Sequence, residues 1–260
     1  MQVAVLTALL IGGSALPALA QDYEQCRHEA QRSATVDGRN ARRLVVGAGA
    51  GSLRIEGKPG ITTVRVTGRA CASSERLLGE IELSARRSGD DVVIEANDRK
   101  SQGDRDFRGN EYARLDVVIE VPARMAAEID DGSGNIDLSN LGAVVIEDGS
   151  GDIVADNLQG NVEIDDGSGG IRLVDVAGSV RIEDGSGEIS LRNVGGAIDI
   201  DDSSGEIDVR GARSNVRIAD SSGSIDVVDV DGDFVVTSDS SGSIDYDNVK
   251  GRVDIPRRRK

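Results

Sequence analysis

The second half of the chain repeats a hydrophobic pattern with a period of 18 residues. Seven consecutive units run from residue 129 to residue 254, the first unit one residue shorter and the last one residue longer than the others. One column of the repeat is isoleucine in every unit: Ile136, Ile153, Ile171, Ile189, Ile207, Ile225 and Ile244. A fixed period near 20 residues is typical of solenoids, in which each coil buries its apolar face only against its neighbours.

Each unit contains two short segments in which apolar and polar residues alternate, as at Ile171 and Leu173 or at Val162 and Ile164. Alternation with period two predicts strands with one buried face, and the many β-branched residues favour strand over helix. We therefore predict an all-β fold in which residues 129–255 form a parallel β-solenoid (β-helix) with coils of about 18 residues. Both a two-sided coil and a flattened three-sided coil fit this pattern.

Two turns join the strands of each unit. The first turn reads Asp-(Gly/Ser)-Ser-Gly, and its last glycine is present in all units: Gly134, Gly151, Gly169, Gly187, Gly205, Gly223 and Gly242. The glycine two positions earlier becomes Ser203, Ser221 and Ser240 in later units. Only the last glycine is therefore expected to need a positive φ or a contact too close for a Cβ. The second turn, Asn/Asp-Val-x-Gly, varies more, and we expect it to absorb both length changes.

Residues 44–128 alternate in the same way but without a strict period, and we predict a degenerate β-strand region continuous with the solenoid. The alternating segments are 53–56, 64–67, 80–83, 92–95 and 115–121. The charged segment 97–112 is predicted to be a surface loop. Residues 21–43 show no apolar strand, and we expect them to cap the open end of the solenoid, because exposed solenoid ends promote aggregation.

The chain begins with an apolar segment, residues 1–20, that ends in Ala18-Leu19-Ala20. This segment is too short to span a bilayer and predicts a signal peptide that is cleaved on export. We therefore expect a periplasmic or extracellular protein without a transmembrane segment. In such an oxidising compartment the two cysteines, Cys26 and Cys71, are predicted to form one disulfide bond.

The repeats carry most of the negative charge of this acidic chain, whose formal net charge is -16. Residues 129–254 contain 28 acidic and 8 basic side chains. Such a surface repels the phosphates of nucleic acids, and it leaves cations and basic partners as candidates. Residues 256–260 include four consecutive basic side chains. We interpret them as a solubilising tail that blocks edge pairing, with binding of lipid phosphate or of a neighbouring acidic solenoid as the alternative.

An aspartate opens the glycine-containing turn of every unit, and this column is the main candidate for a functional site. Its members are Asp131, Asp148, Asp166, Asp184, Asp202, Asp220 and Asp239. In five units the preceding residue is also acidic: Asp130, Glu147, Asp165, Glu183 and Asp201. Stacked carboxylates could hold calcium, whereas an aspartate at this position can accept hydrogen bonds from the N–H groups of its own turn. We favour the turn cap and assign no metal site or cofactor.

Candidate chemistry for catalysis is sparse. The single histidine, His28, lies in the polar N-terminal segment, and a Cys–His pair there would need a structured pocket. Paired carboxylates can support glycoside hydrolysis, but here they recur in every unit, as scaffold residues do. We therefore assign no catalytic residues, and we keep a polysaccharide-processing β-helix enzyme as the alternative function.

Three segments of the first half, together with the DGSG-x-I repeats, resemble a known family. These segments are residues 51–57 (GSLRIEG), 64–68 (VRVTG) and 115–122 (LDVVIEVP). The sequence resembles the bacterial exported "putative adhesin" family, also described as β-strand-repeat-containing proteins of unknown function. The resemblance covers nearly all of the chain after residue 20. It implies a β-solenoid of the cell envelope and carries over no catalytic residues.

The sequence as a whole predicts a non-catalytic, extracytoplasmic β-solenoid that serves as a structural or adhesin-like binding module of the cell envelope. Its partner is expected to be an envelope protein or a polysaccharide, and not a nucleic acid. A calcium-stabilised scaffold is a further alternative. We expect the chain to be a monomer.

Overall fold

The computed structural model describes residues 26–97 and 111–256, which form two long β-sheets, A and B, and one short helix. The predicted signal peptide, most of the predicted loop and the basic residues 257–260 lie outside the described residues.

Each sheet contains eleven strands. In spatial order, sheet A contains β1 (His28–Asp37), β4 (Thr63–Ala72), β7 (Ala113–Pro122), β3 (Leu53–Lys58), β9 (Ile136–Ser139), β11 (Ile153–Leu158), β13 (Ile171–Val176), β15 (Gly187–Val194), β17 (Gly205–Ala212), β19 (Gly223–Val230) and β21 (Ile244–Val249). Sheet B contains β5 (Glu82–Ser88), β6 (Asp91–Asn97), β2 (Arg43–Ala50), β8 (Ala126–Ser133), β10 (Val144–Asp148), β12 (Val162–Asp166), β14 (Val180–Asp184), β16 (Ile198–Asp202), β18 (Val216–Asp220), β20 (Phe234–Ser238) and β22 (Val253–Asp254).

The repeats form a parallel β-solenoid, which confirms the predicted fold class. Each coil contributes one strand to each sheet, so the coil is two-sided. Equivalent residues are in register from coil to coil, as Ile153 pairs with Ile171 and Ile171 with Ile189. The isoleucine column is at most 1% exposed in six coils, and it forms a continuous apolar core between the sheets together with the inward residues of sheet B.

The extra residue of the last coil lies in a strand and not in the second turn. The register between β18 and β20 shifts after Ile218, so that Ala219 pairs with Ser238 and one residue of β20 bulges out. The expectation that the second turn absorbs both length changes is therefore wrong for this coil. A bulge can take up one residue because it breaks the ladder only locally.

The first half continues both sheets with a different order of strands. β2 and β3 pair in parallel with β8 and β9, directly beside the first regular coil, and β6 and β7 stack outside them in parallel. The outermost strands β1, β4 and β5 are antiparallel to their neighbours. Four alternating segments predicted as strands lie within β3, β4, β6 and β7, as expected.

Two expectations for the first half are wrong. Segment 80–83 does not form one strand, because helix α1 (Glu75–Glu80) ends within it and β5 begins at Glu82. The helix starts where the Oγ of Ser74 accepts a hydrogen bond from the N–H of Leu77, a standard N-cap. Segment 21–43 contains strand β1, whose inward face is weakly apolar: Ala30 and Ala34 are half-buried and Val36 is buried. All ten residues of β1 pair with β4.

The N-terminal end of the solenoid is closed by covalent and packing contacts. Cys26 and Cys71 form a disulfide that ties the start of β1 to β4. The edge strands β1 and β5 contact each other across the two sheets, and α1 packs against β1 and β4. This end therefore covers its own core.

Candidate functional site

The turn aspartates point into the edge of the core and not into solvent. In β10 the buried residues alternate as Val144, Ile146 and Asp148, so the aspartate lies on the same face as the isoleucine. Six of these residues are between 1% and 6% exposed: Asp131, Asp148, Asp166, Asp184, Asp202 and Asp220. The seventh, Asp239, follows the bulged strand and is partly exposed. The parallel register stacks the six into a buried aspartate ladder.

In five of the six aspartates one carboxylate oxygen caps the residue's own turn, whereas both oxygens of Asp131 lack a hydrogen-bond partner among the described residues. The backbone N–H of Ser168 donates to Oδ1 of Asp166 at 3.1 Å. The serine two residues on makes the same bond to Asp148, Asp184, Asp202 and Asp220. The second oxygen, Oδ2, of these five aspartates has no hydrogen-bond partner among the described residues. Each turn thus leaves one buried carboxylate oxygen unsatisfied, which disfavours the charged form.

Burial raises the pKa of the ladder carboxyl groups, because the loss of water disfavours ionisation. Desolvation is the main reason that the pKa of Asp166 rises to about 6; the turn N–H groups oppose the rise, and the charges of Asp148 and Asp184 add to it. The pKa of Asp202 rises to about 6 from the same causes. At Asp131, desolvation and then the charge of Asp148 raise the pKa to about 7. Asp131, Asp166 and Asp202 therefore bind protons under mildly acidic conditions.

The aspartate ladder fits turn capping and proton binding better than calcium binding. Calcium requires six to eight oxygen ligands that converge on one point. Within residues 26–97 and 111–256, no group of three or more His, Cys, Asp or Glu side chains is arranged to hold a metal ion. The stacked carboxylates are in single file, and in five of them one oxygen is already engaged by the turn.

The last glycine of the same turn has a backbone that other residues rarely adopt. Gly169 has a φ of +141°, and a Cβ on it would lie 1.8 Å from the carbonyl oxygen of Gly151 in the preceding coil. A positive φ and a similar clash recur at Gly134, Gly151, Gly187, Gly205, Gly223 and Gly242. The earlier glycine of the turn is less restricted, since Gly167 has no such φ and its Cβ would lie 2.5 Å from the oxygen of Gly149.

The second turn contains an ordered column that the sequence reasoning missed. One residue of each regular coil has a left-handed backbone: Asn140, Asn157, Asp175, Asn193, Gly211, Asp229 and Asn248. Asparagine, aspartate and glycine tolerate this conformation best. The signal was available in the sequence, because the column contains only these three residue types. Side-chain amides also join adjacent coils, as Asn193 Nδ2 donates to Asp175 Oδ1 at 2.8 Å.

A second row of carboxylates lies on the outer face of sheet B. These residues, here called the acidic column, are exposed and in register: Asp130, Glu147, Asp165, Glu183 and Asp201. Parallel strands are about 4.8 Å apart, so the column spans about 19 Å. Glu147 and Asp165 form no ion pair with any described residue. Glu183, by contrast, pairs with Arg181 at 2.5 Å, so the uncompensated negative charge of the column lies at Glu147 and Asp165.

Basic residues on sheet B lie beside the acidic column, towards the later coils. Arg181 and Arg217 contact the two carboxylate oxygens of Asp199 at 3.7 and 3.5 Å. These side chains line a shallow surface depression of about 270 Å³. On sheet A, by contrast, Arg210 bridges Asp208 and Asp226 at 2.8 and 3.1 Å.

None of the helices in the described part of the chain is long and apolar enough to span a membrane. The one described helix, α1, has six residues.

Comparisons with known proteins identify a family. The family model described as Toastrack DUF4097 matches residues 63–255. No curated protein matches the chain. A structure from Clostridium sporogenes, described as a putative cell adhesion protein, is 15% identical, with coverage of 89% of this chain and 100% of its own and a TM-score of 0.37. A putative adhesin from Bacteroides fragilis is 15% identical, with coverage of 87% of this chain and 97% of its own and a TM-score of 0.32. A putative lipid binding protein from Parabacteroides distasonis is 14% identical, with coverage of 87% of this chain and 97% of its own and a TM-score of 0.35.

Proposed function

The chain belongs to the Toastrack DUF4097 family, and from this premise we propose that it is a non-catalytic, adhesin-like binding module that acts in the cell envelope. The observation that carries the proposal is the acidic column on sheet B. Its carboxylates are held at fixed spacing by a rigid parallel sheet, so they can engage a repeating ligand without a cost of ordering the site.

The chemistry of the acidic column favours a ligand with several positive charges. Glu147 and Asp165 lack ion-pair partners among the described residues, so a cation that approaches them does not have to displace an internal one. Negative charges in a row also raise the rate of encounter with cationic partners at low ionic strength. We expect the partner to be a basic segment of an envelope protein or an amino-sugar polysaccharide.

The disulfide supports the proposed location outside the cytoplasm. Cys26 and Cys71 are paired, and disulfides persist mainly in oxidising compartments. The predicted signal peptide, residues 1–20, points to the same location. We therefore propose that the protein is exported to the periplasm or the cell surface. The uniform acidic column gives no support to the alternative of a polysaccharide-processing enzyme, which would need a local break in the repeat.

The proposal is tested by binding of defined probes to two variants with the same charge change. The first variant neutralises the acidic column (Glu147→Gln, Asp165→Asn, Glu183→Gln). The matched control neutralises three exposed carboxylates of sheet A (Asp156→Asn, Glu188→Gln, Glu206→Gln). An octalysine peptide and a chitosan oligosaccharide serve as probes, with alginate as the anionic control.

We expect the column variant to weaken binding of a cationic probe at least about tenfold, and the sheet A variant to weaken it less than about threefold. Equal losses in both variants would mean that net charge and not the column determines binding. Binding of neither cationic probe at low salt would contradict the proposed ligand class.

A further inference from the structure

A shallow depression of about 270 Å³ lies on the outer face of sheet A, where β11, β13 and β15 begin. Residues two apart on one strand share a face, and the parallel register aligns equivalent residues from coil to coil. The lining side chains therefore form two short columns that run across the three strands. The first column is Asp152, Gly170 and Glu188, and the second is Val154, Arg172 and Ser190.

The depression exists because Gly170 has no side chain, and the backbone does not require glycine there. Gly170 has no positive φ, and the atom nearest to an added Cβ would be the side-chain Oδ1 of Asp152 at 3.3 Å. Neighbouring coils carry Asp152, Glu188 and Glu206 at this position. The gap is therefore a local break in the repeat that the fold itself does not need.

The floor of the depression contains a buried hydroxyl group. Ser190 lines the depression and is 7% exposed. Its Oγ makes no hydrogen bond with any residue that the structure describes. A buried hydroxyl group without a partner is unfavourable, so a ligand that supplies one is stabilised at this position.

The rim of the depression carries charges of both signs. Arg172 and Glu188 are exposed, and neither forms an ion pair with a described residue. Asp152 lies on the opposite side of Gly170 from Glu188, and its Oδ1 accepts a hydrogen bond from the N–H of Gly170 at 3.0 Å. Neighbouring strands are about 4.8 Å apart, so the two carboxylate positions are about 10 Å apart, with the guanidinium position between them along the sheet.

We propose that this depression binds the head group of an α-amino acid, a zwitterion whose ammonium and carboxylate groups are attached to one carbon atom. Arg172 binds the carboxylate through its planar fork, and Ser190 donates a hydrogen bond to it. Glu188 and Asp152 accept hydrogen bonds from the ammonium group. A purely anionic ligand would be repelled by the two carboxylates, and a purely cationic one by the guanidinium group.

Val154 adds a preference for an apolar side chain on the ligand. It lines the depression beside Arg172 and is 38% exposed, so an aliphatic side chain can cover it. Leucine is therefore a suitable probe. This site is independent of the ligand proposed for the acidic column, which lies on sheet B.

Titration of the nitrogen-labelled chain with leucine, followed by heteronuclear NMR, tests the proposal. We expect saturable shifts of the amide signals of Gly170, Arg172 and Ser190, with a dissociation constant on the order of 1 mM. Leucinamide lacks the carboxylate, and N-acetylleucine lacks the ammonium group. Each should bind at least about fivefold more weakly than leucine.

Two variants with matched controls locate the site. Gly170→Gln fills the depression with a side chain of the size of Glu188 without adding charge, and Arg172→Gln removes the guanidinium group. Each should weaken leucine binding at least about fivefold. Ser224→Gln, in the column of Gly170 three coils further on, and Arg192→Gln, an exposed arginine on the same face of sheet A, should change it less than about twofold.

Three results would overturn the proposal. The first is no saturable shift at about 50 mM leucine, which would mean that the depression is not a site. The second is equal binding of leucine and either analogue, which would exclude recognition of a zwitterion. The third is a control that loses as much binding as its test variant, which would place the ligand elsewhere on the chain.

Discussion

The side-chain amide of Asn157 donates a hydrogen bond from Nδ2 to Oδ1 of Asn140, one coil earlier, at a distance of 2.7 Å. Both residues have a left-handed backbone, with φ of 54° and 59°. The second turn is therefore held in two ways. Asparagine tolerates the left-handed backbone better than most residues, and its side chain hydrogen-bonds one coil to the next.

Asn157→Ala should lower the free energy of unfolding by about 2 kcal/mol, because alanine strains the left-handed backbone and removes the hydrogen bond. Asn157→Gly should cost only about 1 kcal/mol, since glycine keeps the conformation and loses the bond alone. Urea denaturation followed by circular dichroism measures both values. Equal losses for the two variants would show that the backbone conformation contributes little.

Gly169→Ala should destabilise the chain by more than about 4 kcal/mol or prevent folding. Its Cβ would lie 1.8 Å from the oxygen of Gly151, which belongs to the backbone of the adjacent coil. Gly167→Ser is the matched control and should cost less, about 2 kcal/mol, because its Cβ lies farther from backbone, at 2.5 Å from the oxygen of Gly149, and Ser203 occupies the equivalent position in a later coil. Thermal unfolding of the two variants compares them directly. A mild effect of Gly169→Ala would contradict the close stacking of these turns.

The buried aspartate ladder makes stability depend on pH. The pKa of Asp166 is 3.8 in the unfolded reference and about 6 in the fold, so the native state binds more protons than the unfolded state between these values. Stability must therefore fall as pH rises from about 4 to about 7. We expect the melting temperature to be several degrees higher at pH 5 than at pH 7.5.

Asp166→Asn should raise the melting temperature at pH 7.5 and reduce its dependence on pH. The amide oxygen can still accept the hydrogen bond from Ser168, while the cost of a buried charge is removed. Asp165→Asn removes the same charge from an exposed neighbour and should leave the pH dependence intact. A melting temperature that rises from pH 5 to pH 7.5 in the original chain would contradict the raised pKa of the ladder.

Reduction of the disulfide should lower the free energy of unfolding by about 3–4 kcal/mol, because the bond closes a loop of 45 residues in the unfolded chain. The effect should be strongest at the N-terminal end, where β1 would lose its tie to β4. Hydrogen exchange of β1 with and without reductant measures this local loss. The double variant Cys26→Ser, Cys71→Ser is the control, and it should not respond to reductant. Unchanged exchange in β1 would mean that backbone pairing alone holds the strand.

The regular coils could be predicted from the sequence because one residue pattern determines each of their features. The isoleucine column predicted the core, and the period of 18 residues predicted the parallel register. The first half could not be predicted to the same extent. Its strands pair with partners far apart in sequence, as β3 does with β9, and nothing local specifies this order.

The orientation of the turn aspartates was available from the sequence but was not deduced. Asp148 follows Ile146 by two residues, so the same alternation that buries the isoleucine also buries the aspartate. The general rule that aspartate is exposed conflicts with this local periodicity, and here the periodicity prevails. The pKa of the ladder could not be predicted, because it depends on burial and on hydrogen bonds that only the folded turn defines.

The in-register stacking of identical coils has a consequence for how such a protein can evolve. Each regular coil contacts only the one before and the one after it, and every coil offers the same surface to both. Duplication or deletion of one 18-residue unit would change the reach of the molecule by about 4.8 Å while its width and its chemistry stay constant. Selection can therefore adjust how far the protein extends separately from what it recognises.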